Sequence, residues 1–219
     1  AALDATIAAA RAGGIQHLTA RVDVADLATM GALEARGFRT MDALVTYIMR
    51  PVKDPPVDVR TVGTIRESRP EDGAAILSIT EEAYRGYRGR FHLDPHLPSD
   101  RADALYLEWA RQCLAGTMAD IILVSENSDG EVIGYLAYRR RQPMSSVGMP
   151  IFGGGLGACR RDSPGAYASL IRDATIWSHA RGGMGEYQTQ NYNFAVIRVY
   201  EAAGAHYVRA EYTLHAWLG

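Results

Sequence analysis

The run "NFAVIRVYEAAGA", residues 193–205, places an Asn before a short apolar stretch that carries Tyr200 and meets Gly204. Asn193 is a good N-cap, Val196, Val199, Tyr200 and Ala203 share one helical face, and Gly204 suits the left-handed position after the last turn. Leucine would fill that stripe as well as tyrosine. The surplus hydroxyl of Tyr200 therefore either meets a polar partner or has a chemical task, and a phenol's task is to donate a hydrogen bond or a proton to developing negative charge. Upstream, Arg160 and Arg161 precede "DSPGAYASLI", where Ser163 suits an N-cap and Pro164 the first helical position. Free amides at such a helix start, with cations close in sequence, bind anionic groups such as phosphates.

The composition sets the frame for that chemistry. With 219 residues, 47% of them hydrophobic and 22% charged, the chain is long enough to bury a substantial core. A formal net charge of −2 argues against a nucleic-acid-coating surface or an anionic-membrane binder. Cys113 and Cys159 form neither a CxxC pair nor a disulfide framework, which fits a reducing cytoplasm. The six His residues include no HExxH motif, so no metal site is expected. The sequence shows neither a membrane-spanning apolar run nor a signal-peptide start, and its opening Ala within a helix-like stretch suggests a chain cut from a longer one.

Along the chain, "ATIAAARAGG" reads as a helix, "IQHLTARVD" as a strand, "ADLATMGALEARG" as a helix and "ALVTYIMR" as a strand. The proline-containing stretch at 51–59 reads as a linker, because paired prolines suit neither helix nor ladder. The pattern then restarts with a strand at "TVGTIRESR", helices at "PEDGAAILSITEEAYRGY" and "ADALYLEWARQCLAG", and two strands joined around Asp129-Gly130. The glycine-rich "IFGGGLGACR" reads as a strand leading into a loop, followed by a helix from Ser163. The ending repeats the beginning: aligned on Gly37 and Gly204, Leu33 stands where Tyr200 stands and Asp26 where Asn193 stands. The first copy accepts Leu at this position, which favours a functional reason for the Tyr200 hydroxyl.

In residues 60–218 this order, and above all "EYQTQNYNFAVIRVYEAAGAHYVRAEYTLHAWL", resembles the GNAT superfamily of acyl-CoA-dependent N-acyltransferases. "ADALYLEWARQ" and "YTLHAWL" look most like the branch of dTDP-fucosamine N-acetyltransferases, in which an incomplete GNAT-like segment precedes the catalytic domain. The resemblance implies an α/β fold with a mixed, mostly antiparallel central sheet flanked by helices. It also implies a degenerate partial repeat at 1–50 and a catalytic domain at 60–219. The cofactor would be acetyl-CoA and the partner a small-molecule amine, preferably an amino sugar carried on a nucleotide, with a homodimer left open.

By that resemblance Tyr200 is the general acid that protonates the departing thiolate, and Asn193 contacts the cofactor. The pantetheine arm would lie along Gly157, Ala158 and Cys159, since it can pair with a strand and glycine lets it approach. The pyrophosphate would rest on Arg160, Arg161, Ser163, Pro164, Gly165, Ala166 and Tyr167. The motif departs from the family pattern here, because Tyr167 takes the second small position and Asp162 the basic one. A shift of one residue restores small residues at Ala166 and Ala168 but sets Ser163 in the Arg position.

Tyr84, Arg85, Tyr87, Arg88, Phe91, His92 and Asp94 are the expected acceptor contacts, mixing aromatic faces with paired donors that suit a sugar ring and a diphosphate. No Glu stands between Met149 and Cys159, so Glu186, His92, Asp94 or a water chain remain as bases. Two rivals stand beside this reading: transfer of another acyl or aminoacyl group to a natural-product amine, and a catalytically silent CoA-binding or scaffold module.

Overall fold

The computed structural model describes residues 2–51, 62–141, 148–153 and 155–218. The linker expected at 51–59 therefore lies, apart from Pro51, outside the described residues. The chain opens with α1 (Ala2–Ala12), β1 (His17–Asp23), α2 (Leu27–Glu34) and β2 (Arg39–Met49). It continues through β3 (Thr64–Glu67), a 3₁₀ turn at Pro70–Asp72, α3 (Gly73–Tyr84), the short α4 (Arg90–Leu93) and α5 (Ser99–Leu114). Then come β4 (Ile121–Glu126), β5 (Val132–Arg141), β6 (Ile151–Gly153), β7 (Gly157–Cys159), α6 (Ala166–Ala180), β8 (Met184–Gln190), α7 (Phe194–Ala202) and β9 (His206–Trp217).

The strands join in the order β1-β9-β2-β8-β6-β5-β4-β3, with β7 paired to β5 beside that path. Among the described pairings only β6 with β8 is parallel; the others are antiparallel. Alternation along the strands divides the core between two faces. Leu136 and Tyr138 of β5 meet Leu170, Ile171 and Ala174 of α6 on one side. Tyr135 and Ala137 meet Ile76 and Ile79 of α3 and Cys113 of α5 on the other. A third cluster gathers Ile7, Met30 and Leu33 of the first two helices against Val22 of β1 and Leu214 and Ala216 of β9.

Residues 1–50, read from the sequence as a degenerate partial repeat, share one sheet with the strands of 62–218. β2 runs between β8 and β9, with Tyr47 opposite Tyr187 on one side and Tyr207 on the other, while β9 runs between β1 and β2. Each helix-containing unit thus sends its last strand between the strands of the other. Their helices are finished alike: Asp26 accepts from the Thr29 amide and Asn193 from the Val196 amide, and Gly37 and Gly204 take φ of 84° and 86° after the last turns. Leu33 and Tyr200 both end up buried.

The start of α6 differs from the reading of the sequence. It begins at Ala166, capped by Gly165 in the left-handed conformation, and not at Pro164 behind Ser163. Ser163–Ala166 instead form a turn in which the Ala166 amide donates to the Ser163 carbonyl. Pro164 and Gly165, the latter at φ 88°, occupy the positions that a type II turn reserves for such residues.

Candidate active site

The site is built where the sheet parts. β8 pairs with β6 through Met184, Gly185 and Glu186, whereas β7 pairs only with β5 among the described strands. Beyond Glu186 the two backbones diverge around a cavity of about 600 Å³, with Gly155–Cys159 on one wall and Glu186–Gln190 on the other. Gly155 makes the parting feasible: a Cβ there would stand 1.6 Å from the Ala137 carbonyl oxygen. Gly155→Ala should therefore destabilise the chain by about 3 kcal/mol or more, as overpacking with backbone displacement does. Urea unfolding measures it, and an unchanged midpoint would show that the chain bends there freely.

Tyr200 reaches the cavity from α7 and is 2% exposed. Its hydroxyl donates to the Gln188 carbonyl at 3.4 Å and stands 3.3 Å from the Tyr167 hydroxyl, both long contacts that leave it weakly committed. Burial, above all, raises its pKa beyond the ordinary tyrosine range. Asn193, also in the wall, uses its side chain locally, donating 3.0 Å to the Thr189 hydroxyl while capping α7. Cys159 faces the cavity too, and burial pushes its thiol up to about 12, so it is a neutral wall group at physiological pH.

Gly157, Ala158, Cys159, Tyr167, Asn193 and Tyr200, gathered from the sequence as one site, do line this one cavity. So do Tyr84 and Tyr87. Tyr84 donates 3.0 Å to the Gly157 carbonyl and stacks on Tyr106, with ring centroids 4.5 Å apart. Tyr87 donates to the Gln190 side-chain carbonyl. Glu186, one of the expected bases, is buried in the wall of the same cavity.

The other expected residues lie elsewhere, each for a visible reason. Arg160, Arg161, Ser163, Pro164, Gly165 and Ala166 stand outside the cavity, on the turn leading into α6. Glu82 occupies two of the anion-binding groups expected there, accepting from the Arg161 amide at 3.0 Å and facing the Arg160 guanidinium at 3.7 Å. Arg85 is an exposed partner of Glu81, and the carbonyl of Arg88 accepts from the Tyr192 hydroxyl. His92 pairs with Asp103 at 2.8 Å and stacks behind Tyr106.

Asp94 is buried beneath the sheet end, where it accepts from His215 Nδ1 at 2.7 Å, the His96 amide and the Trp217 indole. Phe91 packs against Tyr106, Trp109 and His215. Neither His92 nor Asp94 lines the cavity, so neither is placed to act as its base. Sequence spacing also missed that folding brings His17, Asp94 and His215 ligand atoms within 4.8 Å of one another. The cavity further includes Arg21, Leu44, Arg90, Tyr106 and Trp109. Arg90 sits within the stretch already singled out, whereas Arg21 and Leu44 belong to the segment regarded as degenerate.

No family model matches the chain. Spore coat polysaccharide biosynthesis protein SpsD of Bacillus subtilis (strain 168) is 31% identical over 150 residues, covering 68% of this chain and 49% of SpsD. The chain thus spans about half the length of the curated relative it matches. A tandem GNAT protein from the clavulanic acid biosynthesis pathway superposes over 97% of this chain and 67% of its own length, with a TM-score of 0.59 at 15% identity. A GCN5-related N-acetyltransferase from Sphaerobacter thermophilus does so over 93% and 61%, with a TM-score of 0.58 at 17% identity. At such identities architecture is what is shared, and the chain has the fold of the GNAT acetyltransferases.

Proposed function

We propose that this chain is an acyl-CoA-dependent N-acyltransferase that carries an acetyl group from acetyl-CoA to a primary amine, with a nucleotide-linked amino sugar as its preferred acceptor. The observation that carries the reading is the parting of β7 from β8 around a cavity whose wall holds the weakly committed Tyr200 hydroxyl. SpsD is described as a polysaccharide biosynthesis protein, which supports a sugar acceptor here. The donor's pantetheine arm is peptide-like, and the diverging strand edges have backbone groups to pair with it. Its pyrophosphate would lie at the start of α6 beside Arg160 and Arg161, taking the place of the Glu82 carboxylate that contacts both.

Acetyl-CoA supplies the thioester carbonyl and a thiolate leaving group. Glu186 is the wall carboxylate that receives the proton released by the attacking amine. Tyr200 holds a proton for the sulfur and keeps it because burial disfavours the phenolate. Burial keeps the Cys159 thiol protonated, which favours direct transfer to the amine over an acyl-cysteine.

Thiol release measured across acyl-CoAs and amines tests the reading; no release with any pair would refute it. The same assay yields a pH profile. A raised phenol pKa preserves the acid form as pH rises, so turnover should not fall through Tyr200 ionisation between about pH 8 and about pH 10. An alkaline midpoint within that range that vanishes in Tyr200→Phe would show that Tyr200 ionises there and would overturn the raised pKa.

A further inference from the structure

Beside the cavity the sheet carries a polar row that the acyl-transfer chemistry leaves unused. Arg21 of β1 is in register with Thr213 of β9, and Thr213 with Asp42 of β2, so the three side chains share one face of the sheet. Leu44, two residues beyond Asp42 and hence on the same face, lines the cavity opposite Gln190. Arg21 and Arg90 both enter the cavity wall.

The Arg90 guanidinium lies 4.5 Å from the Phe91 ring centre and 5.5 Å from that of Trp109, which fixes its place. Its Nε, the Thr213 hydroxyl and both Asp42 carboxylate oxygens are buried without a hydrogen-bond partner among the described residues. Neither guanidinium has a carboxylate within ion-pair distance among those residues. Both line the same cavity; burial first, and then the charge of Arg21, lower the Arg90 pKa, while Tyr106 and Asp42 act the other way. Two like charges facing one cavity are stabilised by an anion placed between them.

We propose that Arg21 and Arg90 clamp an oxyanion on the acceptor, a phosphate or a carboxylate, and so select amines that carry one. The N-terminal segment then contributes to recognition as well as to the sheet. This rests on the acyltransferase reading, and it adds residues and a charge requirement to it.

The test compares acceptor kinetics of the native chain and Arg21→Ala with three amino sugars: one bearing a phosphate, one a carboxylate and one uncharged. Arg21 is exposed, so its truncation spares the core. The clamp predicts that Arg21→Ala raises KM for an oxyanion-bearing sugar roughly ten- to hundredfold more than for the uncharged one, the contribution of a charge-assisted hydrogen bond. Which anion shows the selective loss identifies it as phosphate or carboxylate, and Arg21→Lys should restore part of the difference. An equal change for all three sugars, or none, overturns the clamp.

If no amine is acylated at all, the acyltransferase reading falls, and calorimetric binding of inorganic pyrophosphate decides the clamp separately. Binding that both Arg21→Ala and a normally melting Arg90→Gln weaken tenfold or more upholds it. Binding that neither changes, or no binding to the native chain, overturns it.

Discussion

Replacing Tyr200 by Phe should lower turnover by about one to three decades while leaving donor affinity nearly unchanged. The substitution keeps the ring, which packs 5.3 Å from Tyr187 and 5.6 Å from Tyr47, and removes only the hydroxyl. That hydroxyl makes two long contacts, so little folding energy goes with it. If it stabilises the leaving sulfur, its loss is felt in the transition state and not in the bound donor, and kcat and kcat/KM should fall together. Steady-state kinetics with calorimetric acetyl-CoA binding separate the two. Unaltered turnover in a chemistry-limited assay would refute the general-acid role, and a proportional loss of donor binding would reassign the hydroxyl to binding.

Removal of residues 1–59 should have the larger structural effect. A chain beginning at Arg60 loses β2 from between β8 and β9, and β1 from beside β9. Val45, Tyr47 and Met49 leave the core that also holds Leu170, Ile171 and Tyr200. Each such side chain contributes about 1.5–3 kcal/mol on burial, so their sum is of the order of a whole domain's net stability. The truncated chain should aggregate or melt without cooperativity, and coexpressed residues 1–59 should restore part of its solubility by refilling the gap. A soluble monomer that melts as sharply as the longer chain and keeps its activity would contradict the strand arrangement itself.

Most elements were legible in the sequence because their signals are local. The Asn193 and Gly204 caps, the alternating faces of β4 and β5 and the buried stripe Ala102, Tyr106, Ala110 and Cys113 of α5 follow from spacing alone. The short α4 was missed because one helical turn carries no periodicity. At Ser163-Pro164-Gly165 two local rules competed, and the glycine's positive φ favoured a turn over an N-terminal helical turn.

The site was legible on its tyrosines and on the β7 glycines. The loop residues His92 and Asp94 were misplaced: Asp103 on the following helix holds His92, and the pair that draws Asp94 away, His215 and Trp217, lies far off in sequence. Arg21 and Leu44 enter the cavity only because strands are exchanged between the two ends of the chain, an arrangement that no local pattern encodes.

That exchange also dictates an order of assembly. β8 and β9 are consecutive strands, yet they cannot close on each other as neighbours, because β2 must lie between them. During synthesis β2 emerges early and waits for both of its partners, and β1 waits for β9 from almost the other end of the sequence. Such long-range pairing slows folding and leaves strand edges open in the meantime. The cavity wall formed by Leu44 and Gln190 is therefore among the last parts to close, and binding competence should arrive with the final strand rather than grow as the chain lengthens.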